Sequence, residues 1–302
     1  MSAQPELFLI PAATGNVAGA CAAYLTGQRP DGALRLTSHR EEGCAELRRR
    51  FPGAEVMQAD FTDATSLAAA CDGCHGVFMN VPDMMPEPDA TGAMLAALSD
   101  TAAPDVFLLR FGAYPTGRTV DQLTPETRDS GIGAAKHLRA RAVLERSHIH
   151  YVLLNAPCWF MTNLLWLAAP GVRDRDELVI PCRMSTAFID PRDIGAAAGR
   201  IMLDPALRTP GREHQVNGPE ELDFDQVAQA LSELLGREIR HNDDLEVFRR
   251  YFGDATDMMA SYFRHSPADY TATVTTHELD ALLGRPPVDL ASWLSEHRAA
   301  FT

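Results

Sequence analysis

Lysine is nearly absent from this 302-residue chain, in which Lys136 is the only one. Lysine and arginine together number 27 against 41 acidic residues, which gives a formal charge of −14. A surface this acidic argues against the phosphate backbone of a nucleic acid as the main partner. No apolar run approaches the roughly 20 residues that a bilayer requires, and the first residues lack the charged-then-apolar pattern of an export signal. We therefore expect a cytoplasmic protein that does not insert into membranes.

Cysteine is also scarce, because six residues are too few for a disulfide scaffold at this length. One pair, Cys71 and Cys74, has the spacing of a metal half-site or a redox motif. No second pair lies at a matching distance, and this pair precedes a predicted strand, whereas a redox pair needs a following helix N-terminus. The Asp-Gly between the cysteines favours a turn from a helix into a strand. We therefore predict a structural role for the pair and no metal site.

A regular alternation of short apolar runs with helical segments fills the first half of the chain. Runs typical of strands occupy residues 7–11, 33–38, 55–60, 76–81, 106–110 and 151–154. Helical segments are predicted between them at residues 20–25, 41–50, 66–71, 90–98 and 133–147. This order is typical of a doubly wound parallel sheet, the Rossmann-type α/β fold.

The pattern changes after residue 155, where prolines separate shorter pieces. Helices are predicted at residues 224–235, 245–250 and 290–301, with Gly236 ending the first of them. We predict a dinucleotide-binding domain at residues 1–155 and a smaller, mainly helical substrate-binding lobe at residues 156–302. The two are expected to interleave in part and to share a cleft, where ligands commonly bind.

The junction of the first strand and helix carries the small-residue loop Ala-Ala-Thr-Gly-Asn-Val-Ala at 12–18. Small residues there let backbone amides approach a pyrophosphate at a helix N-terminus. With Gln-Ala-Asp-Phe-Thr-Asp at 58–63 and Phe-Ile-Asp-Pro-Arg-Asp-Ile at 188–194, the chain resembles the NmrA-like, atypical branch of the short-chain dehydrogenases/reductases.

The family loop usually reads Gly-Ala-Thr-Gly-x-x-Gly, so Ala12 and Ala18 stand where glycines are expected and Gly19 comes one place late. A methyl group at the first position crowds the turn if its φ is positive, and one at the third pushes the helix from the strand. We expect dinucleotide binding to be retained but weakened. The alternative is a Rossmann-type fold whose cofactor site is eroded.

The resemblance implies a set of cofactor-binding residues at the ends of the strands. They are Ala12, Thr14, Gly15, Asn16, Val17, Asp60, Phe61, Asn80, Val81 and Pro157. Cofactor choice follows from the end of the second strand, where Ser38 and Arg40 can bind a phosphate and no acid awaits the ribose hydroxyls. This favours NADP over NAD. The alternative is that Arg40 forms only a surface ion pair with Glu41 or Glu42.

The Ser-Tyr-Lys catalytic set of typical short-chain reductases is missing, as is common in the NmrA-like branch. No tyrosine stands four residues before Lys136, and Arg110 occupies the position of the serine. The resemblance places His137 where relatives carry His or Lys, and an imidazole there could protonate a substrate carbonyl. A partly buried structural histidine is the alternative. Lys136 is expected to face solvent, because neighbouring helical residues point about 100° apart.

After the sixth strand, residues 155–163 resemble the family segment that covers the nicotinamide ring. The residues predicted to line an apolar, flat-sided substrate pocket are Met84, Phe111, Asn155, Trp159 and Phe160. Such a pocket suits an aromatic molecule, although the same side chains could equally form core.

Three functional hypotheses follow from these features. The leading one is an NADP-dependent reductase of a small hydrophobic molecule such as a quinone or ketone. The others are an NADP-sensing regulatory protein without turnover and a non-redox isomerase or cyclase on the same fold. A homodimer is compatible with each of them.

Overall fold

Strands and helices alternate through the first half of the chain, as the sequence predicts. The computed structural model describes residues 6–30, 32–82, 85–130, 133–270 and 276–302. Its strands are β1 (Phe8–Ile10), β2 (Leu34–Ser38), β3 (Glu55–Gln58), β4 (Gly76–Met79), β5 (Phe107–Gly112), β6 (His150–Asn155), β7 (Trp159–Phe160), β8 (Glu177–Val179), β9 (Thr186–Ile189), β10 (Glu213–Gln215), β11 (Glu220–Leu222) and β12 (Arg240–Asn242). Its helices are α1 (Asn16–Gln28), α2 (Glu41–Arg50), α3 (Ala64–Cys71), α4 (Glu87–Thr101), α5 (Pro125–Ser130), α6 (Ala134–Glu145), α7 (Asn163–Leu167), α8 (Ala169–Arg175), α9 (Pro191–Leu203), α10 (Phe224–Leu235), α11 (Leu245–Phe252), α12 (Thr256–Tyr270), α13 (Glu278–Leu283) and α14 (Leu290–Glu296). Short 3₁₀ turns lie at Val120–Gln122, Pro205–Leu207, Gly253–Ala255 and Arg298–Ala300.

The central sheet has seven strands in the order β3-β2-β1-β4-β5-β6-β10, and each neighbouring pair is parallel. The chain runs outward from β1 to β3 and then returns to the other side of β1 with β4. This reversal opens a crevice at the carboxyl ends of β1 and β4, where open α/β sheets bind ligands. The predicted Rossmann-type fold is confirmed.

Both faces of the central sheet are covered by helices, which explains why the inner strands β1, β4 and β5 are buried along their whole length. Leu109 and Phe111 share a core with α1 and α9, whereas Leu108 points to the opposite face and packs with α3 and α4. Helices α1 and α9 touch closely, because a Cβ atom on Gly195 would lie 2.7 Å from the carbonyl oxygen of Val17. Only glycine permits that approach.

Residues 156–302 are divided between the central sheet and a second body. Strand β10 extends the central sheet beside β6, and α9 packs on α1. The second body contains a sheet in the order β11-β9-β7, the pair β12-β8, and the helices around them. From this body, the Tyr270 hydroxyl donates to the Ala113 carbonyl oxygen at 2.9 Å, just beyond the end of β5. The second body therefore reaches the carboxyl edge of the central sheet.

Several predicted boundaries are confirmed and others are wrong. Helices α2 and α10 have the predicted limits, and Gly236 ends α10 with a left-handed φ of +70°. The predicted helix at 290–301 instead ends at Glu296 and is followed by a 3₁₀ turn. Helix α12 was not predicted, since it contains Pro267, which normally disfavours a helix interior.

The Cys71–Cys74 segment is the predicted turn between a helix and a strand. Cys71 ends α3, and Gly73 adopts a left-handed φ of +68° before β4 begins. Burial raises the pKa of Cys71 to about 12 and that of Cys74 to about 11. Both thiols are therefore protonated at neutral pH and pack as small apolar groups. Among the described residues, no helix is long and apolar enough to cross a membrane.

Candidate functional site

The loop that joins β1 to α1 presents an open helix N-terminus at the carboxyl edge of the sheet. Thr14, Gly15 and Asn16 are exposed. Gly15 occupies the N-cap position, supplies no capping side chain, and precedes a first turn without acidic residues. The amides and the dipole of α1 therefore face outward and favour an anion such as a pyrophosphate. The side chain of Val17 is buried, so only the backbone of this predicted residue faces a ligand.

Ala12 makes the tight turn that the family assigns to glycine. Its φ is +50°, and Asp176 is the only other non-glycine residue with a positive φ in the described chain. The third glycine position, Ala18, is 1% exposed and packs in the core. Helix α1 approaches the backbone of the loop one residue later, since a Cβ on Gly19 would lie 3.0 Å from the Ala13 carbonyl oxygen. The loop therefore makes its tight turn and its close approach to α1 with alanine at positions 12 and 18, and the strain is concentrated at Ala12.

The end of β2 provides one accessible cation. The Arg40 side chain is exposed and forms no ion pair with a described residue, whereas its neighbour Glu41 pairs with Arg48 at 2.6 Å. A surface pair between Arg40 and Glu41 or Glu42 is therefore absent from the described structure. Ser38, which was predicted to bind a phosphate, is only 2% exposed. Its hydroxyl instead accepts a hydrogen bond from the Arg40 amide at 3.3 Å.

Four of the predicted cofactor-binding residues follow β3 and β4. Both Thr62 donors, its amide and its hydroxyl, lie 2.8 Å from one oxygen of Asp60 and lower the pKa of that carboxyl group. Phe61 and Val81 are 8% and 4% exposed, and Asn80 is half-buried. The prediction for Met84 lies outside the described residues. Asp60 and Asn80 are thus the members of this group with accessible polar side chains.

A buried ionic cluster lies where β5, α4 and α6 meet, close to the carboxyl end of β5. Glu87, the first residue of α4, is 1% exposed. Its carboxylate accepts a hydrogen bond from Arg110 and lies 3.5 Å from the Lys136 ammonium. The His137 Nδ1 atom lies 2.8 Å from Glu87 Oε2. The expectation that Lys136 faces solvent is wrong, because its side chain is 11% exposed and turns back to this carboxylate.

The ionisation of the cluster follows from burial and charge. Burial alone would raise the pKa of Glu87, but His137, Arg110 and Lys136 together lower it to about 2. Burial lowers the pKa of His137 below its ordinary 6.5, and Glu87 offsets that effect only in part. At neutral pH the cluster therefore holds an ionised carboxylate beside a mostly neutral imidazole.

The predicted substrate pocket is reproduced only in part. The rings of Phe111 and Phe160 lie 6.0 Å apart, but Phe111 is 4% exposed and belongs to the core around α1 and α9. Of this pair, only the partly exposed Phe160 can face a ligand. Trp159 instead belongs to the core of the second body, where its ring packs 4.9 Å from Phe224. Asn155 is 0% exposed.

Asn155 is a structural residue, because its amide groups are fully used by other residues. Its oxygen accepts the Tyr114 amide at 3.1 Å, and its nitrogen donates to the Tyr114 carbonyl and to Glu213. Pro157, which was predicted to contact the cofactor, follows Asn155 by two residues and is also buried. Neither Trp159 nor Asn155 offers a free surface to a ligand.

Two polar groups near the site were not predicted as functional. Glu87 lies in a Pro- and Asp-rich segment that resembles an exposed loop, and Tyr270 lies in a helix that the sequence does not indicate. One signal for Glu87 exists, since Arg110 ends an apolar strand and a buried guanidinium needs an acidic partner.

This chain is similar in sequence to known nucleotide-binding proteins. Residues 12–163 match a family model described as NAD(P)H-binding. An NAD(P)H azoreductase from Xenophilus azovorans is 28% identical over 267 residues, which span 82% of this chain and 84% of that protein.

Two solved structures share the fold. One is an NADPH-dependent quinone oxidoreductase from Escherichia coli complexed with NADPH, which superposes with a TM-score of 0.80 at 19% identity. The superposition covers 97% of this chain and 100% of that one. The negative transcriptional regulator NmrA in complex with NAD gives a TM-score of 0.70, at 16% identity over 97% of this chain and 95% of that one.

Proposed function

Since this chain belongs to the NAD(P)H-binding family of NmrA-like, atypical short-chain dehydrogenases/reductases, we propose that it is an NADP-dependent reductase of a hydrophobic quinone or aromatic ketone. Family membership places it among NAD(P)H-dependent reductases. The preference for NADP, the substrate class and the residue roles are the content of the proposal. The observation that carries it is the arrangement along one sheet edge: an open helix N-terminus, an exposed arginine that pairs with no described acid, and a largely buried imidazole.

The described residues fit a nicotinamide dinucleotide. A Cβ on Gly15 would lie 3.4 Å from the Ala12 carbonyl oxygen, an ordinary contact, so the packing of the protein itself does not require glycine there. Space reserved for a ligand explains its presence at the uncapped N-terminus of α1. Arg40 would then neutralise the additional phosphate of NADP, since a guanidinium binds phosphate through paired hydrogen bonds.

A reduced nicotinamide cofactor, when bound, supplies a hydride. The protein must bind the acceptor, exclude water and deliver a proton to its oxygen. Phe160, which is partly exposed, offers aromatic surface for a flat acceptor. The His137 Nδ1 atom faces Glu87, so Nε2 is the atom available to a ligand and delivers the proton.

The pH dependence follows from this assignment. The protonated form of His137 donates, and its pKa lies below 6.5. Reduction is therefore fastest in mild acid and slows as pH rises through the pKa of His137.

Replacement of His137 by alanine tests its role. In the purified protein, NADPH consumption with a panel of quinones and aromatic ketones is expected to fall at least about a hundredfold in kcat, the lower range for loss of a general acid. NADPH affinity, measured by calorimetric titration, should stay within about twofold, because the cofactor is held mainly by the loop and Arg40.

His148→Ala is the matched control, since that histidine is exposed shortly after the end of α6. It should leave both kcat and affinity unchanged. Equal kcat values for the wild type and His137→Ala would remove His137 from the mechanism.

A further inference from the structure

We infer that Glu87 is a positioning residue for His137, which it holds with Nδ1 inward and Nε2 directed to the substrate. This inference rests on the proposed reductase function and adds to it a residue outside the Ser-Tyr-Lys set of typical short-chain reductases. Three observations carry it: the burial of Glu87, the way its carboxylate is fixed, and its distance from the imidazole.

Burial makes Glu87 an expensive residue unless it has a specific partner. Its side chain is 1% exposed at the start of α4, and an unpaired carboxylate in such a place would cost several kcal/mol. No side chain caps the N-terminus of α4. The carboxylate points instead across to β5 and α6.

Arg110 fixes the direction of the Glu87 carboxylate. Its side chain is 3% exposed and donates to Glu87 Oε2, to the Phe111 carbonyl oxygen and, at 3.5 Å, to the Thr91 hydroxyl. These acceptors belong to α4 and β5, so the guanidinium is held between two rigid elements. A carboxylate bound to such a group cannot rotate freely, which makes it a fixed reference for the imidazole.

The position of the imidazole then determines which nitrogen carries the proton. His137 Nδ1 is buried and lies 2.8 Å from Glu87 Oε2, although the angle of this contact is not that of a regular hydrogen bond. An ionised carboxylate can only accept, so the neutral ring is expected to carry its proton on Nδ1 and leave its lone pair on Nε2. Protonation then adds the transferable proton at Nε2. The same division of roles is found where a carboxylate orients a catalytic histidine.

Three charged groups face His137, and they act in opposite directions. Glu87 from α4 favours the imidazolium, whereas Arg110 from β5 and Lys136 from α6 disfavour it. Removing the negative charge alone leaves the two cations facing the ring. The loss of Glu87 should therefore make His137 harder to protonate and shift the pH range in which it can donate.

The first test uses the wild-type protein and does not depend on turnover. Nitrogen-15 NMR of the imidazole reports which nitrogen is protonated and how the ring titrates. The expected result is a neutral His137 with its proton on Nδ1. A neutral ring with its proton on Nε2 would overturn the inference, whether or not a substrate has been found.

The second test compares Glu87→Gln with Asp89→Asn, which removes an exposed carboxylate from the same first turn of α4. In Glu87→Gln, the basic limb of the kcat–pH profile should move to lower pH by about one unit or more, the usual effect of one nearby charge. At a fixed pH well above that limb, turnover falls about tenfold for each unit. NADPH affinity should not change, and Asp89→Asn should match the wild type.

A purely structural Glu87 would lower the amount of folded protein without moving the pH limb. An unmoved limb in folded Glu87→Gln would therefore refute the positioning role. Glu87→Asp, which keeps the charge, should restore the wild-type limb in part. If the wild type turns over no acceptor at all, the proposed function fails, and the NMR titration still decides whether Glu87 orients His137.

Discussion

Ala12→Gly is the substitution that most directly examines the altered cofactor loop. Ala12 has a φ of +50°, a conformation that costs an L-residue roughly 1–2 kcal/mol. Glycine removes that strain but loses about 0.5–1 kcal/mol through the greater freedom of the unfolded chain. The net change in the free energy of unfolding should therefore lie between about zero and a stabilisation of about 1.5 kcal/mol, the difference of those two ranges.

Cofactor affinity should respond to the same change. Ala12 lies beside the open N-terminus of α1, so removing its methyl group gives the backbone of the loop more room to approach a pyrophosphate. We expect NADPH to bind more tightly by up to about tenfold, or about 1.4 kcal/mol. Urea unfolding without nucleotide gives the stability, and calorimetric titration gives the dissociation constant.

Ala13→Gly is the matched control for Ala12→Gly. Ala13 is 0% exposed and does not have a positive φ. Glycine there relieves no strain and removes a buried methyl group, so it should destabilise the protein by about 1–2 kcal/mol. If Ala12→Gly destabilises as much as Ala13→Gly and leaves NADPH affinity unchanged, the account of the loop is refuted.

Three further outcomes are expected. Gly15→Ala should fold, because its Cβ would lie 3.4 Å from the Ala12 carbonyl oxygen, but it should weaken NADPH binding at least about tenfold by titration, since the methyl group blocks the approach of a phosphate. Arg40→Ala should raise the dissociation constant of NADPH about tenfold to a hundredfold, because a charge-assisted hydrogen bond contributes about 1.5–3 kcal/mol. The dissociation constant of NADH should not change, and equal effects on both nucleotides would contradict this role of Arg40. Burial would raise the pKa of Glu278, but its bonds to His214 and to the Gln215 amide lower that pKa below 4.5. The ionised carboxylate therefore stabilises the fold above pH 4.5, and this stabilisation decreases as pH falls. The difference in urea stability between the wild type and Glu278→Gln should shrink in acid, and a constant difference would refute this role of Glu278.

The central fold could be predicted because its signals are local. Strands of the doubly covered sheet are short apolar runs, and a helix such as α10 has both ends marked, with an Asp223–Gln226 capping box and Gly236. The short strands of the second body lack such marks, because β7, β9 and β11 are assembled from distant segments. Only tertiary pairing defines them.

The candidate site was harder to predict for the same physical reason. Trp159 has the composition of a flat binding surface, yet rings from distant segments enclose it, including Phe188 and Phe224. Glu87 has the sequence surroundings of an exposed acid and is buried by Arg110, 23 residues away. Whether a side chain lines a pocket or a core depends on contacts that no local pattern contains.

Above all, we propose that this chain carries out NADPH-dependent reduction. Its most direct test mixes the purified protein with NADPH deuterated on one face of the nicotinamide and a panel of aromatic quinones and ketones, and follows the deuterium. We expect the deuterium to move to the reduced product from one face of the nicotinamide only. The rate of this transfer should be higher in mild acid than at higher pH. Tight NADPH binding with no transfer to any acceptor, or conversion of an acceptor without loss of label from the cofactor, would contradict it.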